Sequence, residues 1–353
     1  MMDKFFCADA SKCAQEDIIG TGSNYQTYVL IECCLPWESE AFNSKQLPQN
    51  LKDLVEEVEH SKQKVRFLLI NSDKRKCANK RKILIYDNKH QELFGGYEKH
   101  EFNVDDIDKV AGIVKSYLAG EVPDCETDNK PSRDILVCTH GSHDMCCARY
   151  GNPFYAQATA LVSELGLDDV RVWRSSHFGG HRMAPTAIDL TDGRYYGNLD
   201  RTSLQSILTR NGDIECLNKV YRGSGVLSNP IQVLERELIM LYGWDWFNYK
   251  IASKIIDSDT KNDALLAEIT FEKADGTYSY RADLVKDETK TVRLKGSCGA
   301  QKESEFVKYS VENLHFYSKN EELKFVGYPL YTSAIYNSAI EIASTHTKSA
   351  CAD

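Results

Sequence analysis

A chain of 353 residues is too long for one small domain, and 42% hydrophobic with 27% charged side chains is a globular rather than a disordered composition. The net charge of −9, from 43 basic against 52 acidic residues, argues against nucleic-acid and anionic-membrane partners, which call for a basic face. No apolar run reaches the roughly 20 residues of a membrane helix, and the opening MMDKFFC lacks a signal-peptide core, so a soluble, cytoplasmic protein is expected. In a reducing compartment its twelve cysteines would be mostly free thiols or ligands rather than disulfides.

In chain order, 28–32 (YVLIE) reads as a buried strand, and Leu51, Leu54, Val55 and Val58 fall at helical spacing. A second strand follows at 65–70. Residues 83–86, a turn at Asp87-Asn88-Lys89, and 92–94 suggest a hairpin. Ile107, Val110, Val114 and Tyr117 mark a closing helix. The basic residues Lys74, Arg75, Lys76, Lys80, Arg81 and Lys82 are taken as a solvated loop. A polar stretch at 120–131 with two prolines has linker composition.

The same order then returns. Residues 134–137 form a strand, and Phe154, Ala158, Leu161, Val162 and Leu165 a helix beginning near Pro153. Residues 170–173 form the next strand, and 187–190 and 194–196 make a hairpin about an Asp192-Gly193 turn. Leu204, Ile207 and Leu208 mark the closing helix, with Gly212 as its stop. Matching positions of the two halves are offset by 104–106 residues, which suggests duplication. A strand–helix–strand–hairpin–helix order is that of thioredoxin-like folds. The expected fold is therefore α/β: two tandem thioredoxin-like repeats, at 1–125 and 132–228, followed by a smaller α+β region at 229–353. In that last region Asn229-Pro230 reads as an N-cap with proline at the first helical position. Residues 265–271, 278–284, 291–294 and 306–311 read as strands of an antiparallel sheet. The tail at 343–353 looks weakly structured.

The chemistry concentrates in the second half. The segment CTHGSHDMCC (138–147) ends a strand, and HFGGH (177–181) follows the next. Strand ends on one side of a parallel pair bring their loops together, so Cys138, Cys147, His177 and His181 converge. Gly179 and Gly180 make HFGGH a poor helix and a good wrapping loop. It lacks the glutamate of a metalloprotease HExxH, which argues against a hydrolytic zinc enzyme. Two thiolates and two imidazoles suit either a structural zinc ion or iron.

The patterns C-[ST]-H-x-x-x-D-x-x-C over 138–147 and H-x-G-G-H over 177–181 are both complete. The segment 132–197 resembles the sucrase/ferredoxin-like family of thioredoxin-like ferredoxins. The resemblance implies a 2Fe–2S cluster, with Cys138 and Cys147 as thiolate ligands and His177 and His181 as imidazole ligands. Imidazole in place of thiolate on one iron lowers the negative charge and raises the potential. The expected function is one-electron transfer coupled to a proton, in a carrier served by a redox partner protein rather than in an enzyme with its own substrate. A zinc-stabilised interaction module with the same four ligands and a thioredoxin-like thiol oxidoreductase are the alternatives. No paired glycosidase carboxylates, G-x-G-x-x-G or P-loop is present.

Around this centre, His140, His143, Asp144, Arg149 and Arg182 are candidates to orient ligands or tune the potential, or equally ordinary surface or capping residues. Cys146 either competes with Cys147 or packs as a small apolar side chain. Pro185 precedes the hairpin, where a cis bond is possible. Cys33-Cys34 ends the first half's strand, but 72–76 (SDKRK) has no histidine, so that copy is expected to carry no such cluster. Cys7 and Cys13 read as free thiols, or else as a redox or metal-binding pair. Cys77, Cys125, Cys216, Cys298 and Cys351 give no spacing signal.

Overall fold

The computed structural model describes residues 4–72, 81–88, 92–121, 127, 131–259 and 263–318. Lys74, Arg75, Lys76 and Lys80, the turn residue Lys89, most of the 120–131 linker, Cys77, Cys125, Cys351 and the tail at 343–353 lie outside these residues. Arg81 and Lys82, expected in a loop, open a strand instead.

The first half holds α1 (Cys7–Cys13), β1 (Thr27–Glu32), α2 (Gln49–His60), β2 (Val65–Asn71), β3 (Arg81–Asp87), β4 (Glu98–Val104) and α3 (Val110–Leu118). The second holds β5 (Arg133–Cys138), α4 (Met145–Glu164), β6 (Val170–Ser175), β7 (Ala187–Asp189), β8 (Arg194–Tyr196), α5 (Arg201–Thr209), α6 (Leu217–Val220) and β9 (Tyr221–Ser224). The remainder holds α7 (Asn229–Tyr242), β10 (Lys250–Asp259), β11 (Ala264–Lys273), β12 (Gly276–Lys286), β13 (Val292–Leu294), β14 (Ser304–Phe306) and β15 (Tyr309–Ser318). The fold is mixed α/β, with seven α-helices among the described residues and a nine-stranded sheet in the order β4-β3-β1-β2-β6-β5-β7-β8-β9.

Within each half the pairing is alike. β1 runs parallel to β2 and antiparallel to β3; β5 runs parallel to β6 and antiparallel to β7. The halves join edge to edge through a short antiparallel contact, Ile70 opposite Ser175 and Asn71 opposite Arg174.

Side chains alternate along each strand, and the alternation sorts them into separate cores. Val29, Ile31, Phe67, Leu69, Ile83 and Ile85 pack with α2 and α3. Their neighbours Tyr28, Leu30, Leu68, Ile70, Leu84 and Tyr86 meet Leu136, Cys138, Trp173, Ile188 and Tyr195 of the second half in a shared core. Ile135, Val137, Ala187 and Tyr196 face the other way and pack with α4, α5 and α7. That last cluster continues without a break through Trp246 into Phe271, Ala282 and Leu284 of the four-stranded sheet β10-β11-β12-β15.

Several boundaries differ from the sequence reading. The partner of β3 is β4, not 92–94; Gly96, at φ +126°, turns the chain there, and Phe94 bridges to Ile251 instead. α4 begins at Met145, eight residues before Pro153. Asp144 caps it by accepting from the Cys146 N–H at 2.8 Å, and this anchored first turn carries the helix past a proline that costs it one ladder bond. α5 stops at Arg210 in the left-handed region (φ 48°), before Gly212. Ser228 occupies the N-cap position of α7, so Asn229 and Pro230 are its first helical residues. β9 and β10 were not expected, and 306–311 divides between β14 and β15.

Candidate metal centre

Cys138 is the last residue of β5, and the alternation aims it into the core shared by the halves. Cys147 lies in the first turn of α4, not in the loop before it. Gly151, one turn on, lets α4 lie on the strand end: a Cβ there would stand 1.9 Å from the Cys138 carbonyl oxygen. His177 follows β6 and closes the set. Its Nδ1 lies 3.7 Å from the Cys138 sulfur and 3.6 Å from the Cys147 sulfur.

His181 stands one ring away. The His177 and His181 rings stack at 4.9 Å between centroids, and His143 stacks on His177 at 4.1 Å. The ligand atoms of Cys138, Cys147 and His177 lie within 4.8 Å of one another, as do those of His143, His177 and His181. The four expected ligands thus fall into two overlapping groups that share His177.

Hydrogen bonds fix the rings. The Gly179 N–H donates to His177 Nε2 at 3.1 Å, so the neutral ring carries its proton on Nδ1, toward the thiols. His181 Nε2 donates to the Gly296 carbonyl at 2.5 Å. Its Nδ1 is buried and has no hydrogen-bond partner among the described residues. His140 Nδ1 accepts from the His177 N–H at 3.2 Å, and its Nε2 donates to the Glu38 carbonyl of the first half at 2.7 Å.

Electrostatics favour the metal-ligating form at His177, His181 and Cys138, and oppose it at Cys147. Burial, then the charges of His143, His181 and Arg66, push His177 down to about 2, so its ring is neutral. Burial also lowers His181 and His140. At Cys138 burial acts against the thiolate. The hydrogen bond with Cys147, the backbone at His140 and Phe178, and the Arg222 charge outweigh it and hold the thiol below its ordinary range. Cys147 is raised, first by that same bond and then by burial.

Arg222 is a participant that the sequence reading missed, because a single arginine in a short strand gives no pattern. It is buried, and donates to the Gly179 carbonyl at 3.1 Å and the Thr21 carbonyl at 2.7 Å. A Cβ on Gly180 (φ +86°) would stand 2.6 Å from its guanidinium, so the second glycine of HFGGH makes room for this cation.

The other candidates divide. Asp144 is the cap of α4, and His140 and His143 touch the site. Arg149 stacks on Phe6 at 4.3 Å, and Arg182 pairs with Glu16 at 2.8 Å. The Cys146 sulfur faces Cys7 and Cys298 rather than the Cys138–His177 set. Cys7 therefore meets those two, while Cys13 is exposed at the end of α1. Eight cysteines among the described residues are free thiols, and Cys34 is disulfide-bonded. The Ala184–Pro185 bond is cis. No helix among the described residues is long and apolar enough to cross a membrane.

No curated protein and no solved structure matches the chain. A family model, Sucrase/ferredoxin-like, matches residues 18–223, more than half of the sequence and all four residues expected as ligands. The chain belongs to the sucrase/ferredoxin-like family.

Proposed function

We propose that this protein is an electron carrier holding a 2Fe–2S cluster on Cys138, Cys147, His177 and His181. The observation that carries the reading is His181 Nδ1: a buried ring nitrogen with its lone pair unused among the described residues, because Nε2–H is committed to the Gly296 carbonyl. A buried acceptor left without a partner costs about 1–3 kcal/mol, and a metal ligand bond repays that cost. Family membership and the two thiols beside His177 support the same set.

Bound there, the cluster would supply one-electron storage at a potential above that of all-cysteine clusters. The chain's own residues do the rest. Cys138 is already biased toward thiolate, and His177 would bind through Nδ1 as the other neutral tautomer, its proton moved to Nε2 and the Gly179 N–H contact given up. His181 would keep a proton on Nε2, held to the Gly296 carbonyl, as the group able to release a proton with an electron. The expected partner is a redox protein. The shared pairing order of the halves supports two thioredoxin-like repeats, at 1–125 and 132–228, with 229–353 as a third region; the ligands belong to the second repeat.

Protein purified without oxygen is expected to show visible absorption, with two irons and two sulfides per chain, lost on His177→Ala or His181→Ala. Its potential is expected to fall with rising pH at about 59 mV per unit for one proton per electron; a flat potential sinks the proton coupling.

One observation favours a second reading. Separations of 3.6–3.7 Å between His177 Nδ1 and each thiol suit ligands around a single ion, as in a zinc-stabilised interaction module. A colourless protein with zinc lost on the same substitutions would establish it. Insulin reduction retained after both histidines are replaced would instead indicate a thiol oxidoreductase.

A further inference from the structure

Three more thiols meet behind the first centre. Cys7 opens α1, Cys146 lies in the first turn of α4, and Cys298 lies between β13 and β14. Their sulfurs form a triangle with edges of 3.3 Å (Cys146–Cys298), 3.5 Å (Cys7–Cys146) and 3.7 Å (Cys7–Cys298). One oxygen completes a tetrahedron: Asp144 Oδ1 lies 3.1 Å from the Cys298 sulfur and 3.9 Å from that of Cys7. All four ligand atoms lie within 4.8 Å of one another.

A tetrahedral zinc ion with Zn–S of about 2.3 Å and Zn–O of about 2.0 Å sets sulfur–sulfur edges near 3.8 Å and sulfur–oxygen edges near 3.5 Å. The observed edges bracket or slightly undershoot these values, so binding needs only a small outward movement. The alternatives explain less. A disulfide would use two of the three sulfurs and leave the third beside a carboxylate. Capping of α4 accounts for the Cys146 N–H bond to Asp144, but not for the Cys298 N–H and thiol that the same carboxylate accepts from, 154 residues on. Asp144 Oδ1 accepts from the Cys146 N–H at 2.8 Å and Oδ2 from the Cys298 N–H at 2.9 Å.

We infer that Cys7, Asp144, Cys146 and Cys298 form a second metal site, independent of the first, and that its ion is structural zinc. Three soft thiolates and one carboxylate select zinc over magnesium or calcium. The four ligands leave no open position, which is the arrangement of structural rather than catalytic sites. Binding releases the three thiol protons and leaves a net charge of −2. The Ala8 N–H, which points at the Cys146 sulfur at 3.4 Å, and the N-terminal turn of α4 face that charge. The ion would tie the start of the chain, the helix carrying Cys147, and the loop carrying Gly296 into one knot. Through Gly296 it would also position His181; that link alone depends on the role proposed for His181.

The test uses the full chain, analysed for zinc, iron and sulfide as wild type, as Cys7→Ser/Cys298→Ser and as Cys138→Ser/Cys147→Ser. The first double variant is expected to lose one zinc per chain while keeping the metal of the first centre. The second is expected to lose that metal and keep the zinc. Equal zinc in wild type and the Cys7→Ser/Cys298→Ser variant, or no zinc in either, overturns the site. Absence of iron and sulfide from the wild type would overturn only the cluster. If the first variant fails to fold, alkylation of the wild type decides. Cys7, Cys146 and Cys298 should be protected until a zinc chelator is added, and protection that a chelator does not change overturns the proposal.

Discussion

Gly180 and Gly179 are adjacent and share positive φ, yet they do different work. Gly179 has only Ser23 Oγ near a would-be Cβ, at 3.8 Å, whereas Gly180 has the Arg222 guanidinium at 2.6 Å. Gly179→Ala should therefore cost only backbone strain, on the order of 1 kcal/mol. Gly180→Ala should add overpacking of roughly 1–3 kcal/mol and lower the metal content. Urea denaturation and metal analysis of the two variants side by side check this, and equal effects would refute the role given to Arg222. The motif was legible because its residue types are rare together over a few positions. Arg222 and Cys298 were not legible, and Cys7 was read with Cys13 rather than with Cys146 and Cys298. Each reaches its site through tertiary contacts alone, and nothing in the sequence near Arg222 or Cys298 says what it will face.

At the level of elements, the start of α4 decides the site. Sequence periodicity caught the apolar stripe of Phe154, Ala158 and Leu161 but read Pro153 as a beginning. The Asp144 cap adds eight residues to the helix and so places Cys146 and Cys147 on its first turn, facing two different ligand groups. Strands with buried alternation were read well, since burial on both faces demands apolar runs. Edges such as β9, only four residues long, and β10, exposed over most of its length, were not. Gly151→Ala should separate α4 from β5, because its Cβ would meet a main-chain oxygen that cannot rotate away. A loss of about 3 kcal/mol or more is expected, together with loss of metal from Cys138 and Cys147, as read by denaturation and metal analysis. Full metal retention would mean that α4 does not hold Cys147 in register.

Across the whole molecule, buried ion pairs join what the chain order separates. Arg194 of β8 donates to Glu235 of α7 at 2.7 Å, and the Tyr221 hydroxyl donates to the same carboxylate at 2.6 Å, all three buried. Glu235→Ala leaves the arginine uncompensated and should cost about 3–5 kcal/mol, as measured by thermal or urea unfolding; a loss under 1 kcal/mol would contradict this. Glu16 is held by Arg182 and by Lys308, the latter at 2.9 Å. Burial alone would raise its carboxyl, but the hydrogen bonds and charges of those two cations bring it from 4.5 down to about 2. A lowered carboxylate contributes its stability above the unfolded value and loses it as pH falls from about 4.5 toward 2. The contribution is roughly 3 kcal/mol at neutral pH. Glu16→Gln should flatten that part of the acid-stability curve, and an unchanged curve would show that other groups govern it.

The meeting of Cys7 with Cys298 spans 291 residues of chain. Closing so long a loop costs about 5 kcal/mol of chain entropy, which an apolar contact between two thiols does not recover. The order of synthesis sharpens the point. Cys7 is made 291 residues before Cys298, on the order of 15 to 60 s earlier at ordinary elongation rates. Throughout that interval Cys7 and then Cys146 stand as unmatched thiols on a growing chain. Their final neighbour arrives only after every element up to β13 has been made, so oxidative damage to this protein should fall hardest on newly made molecules rather than on finished ones.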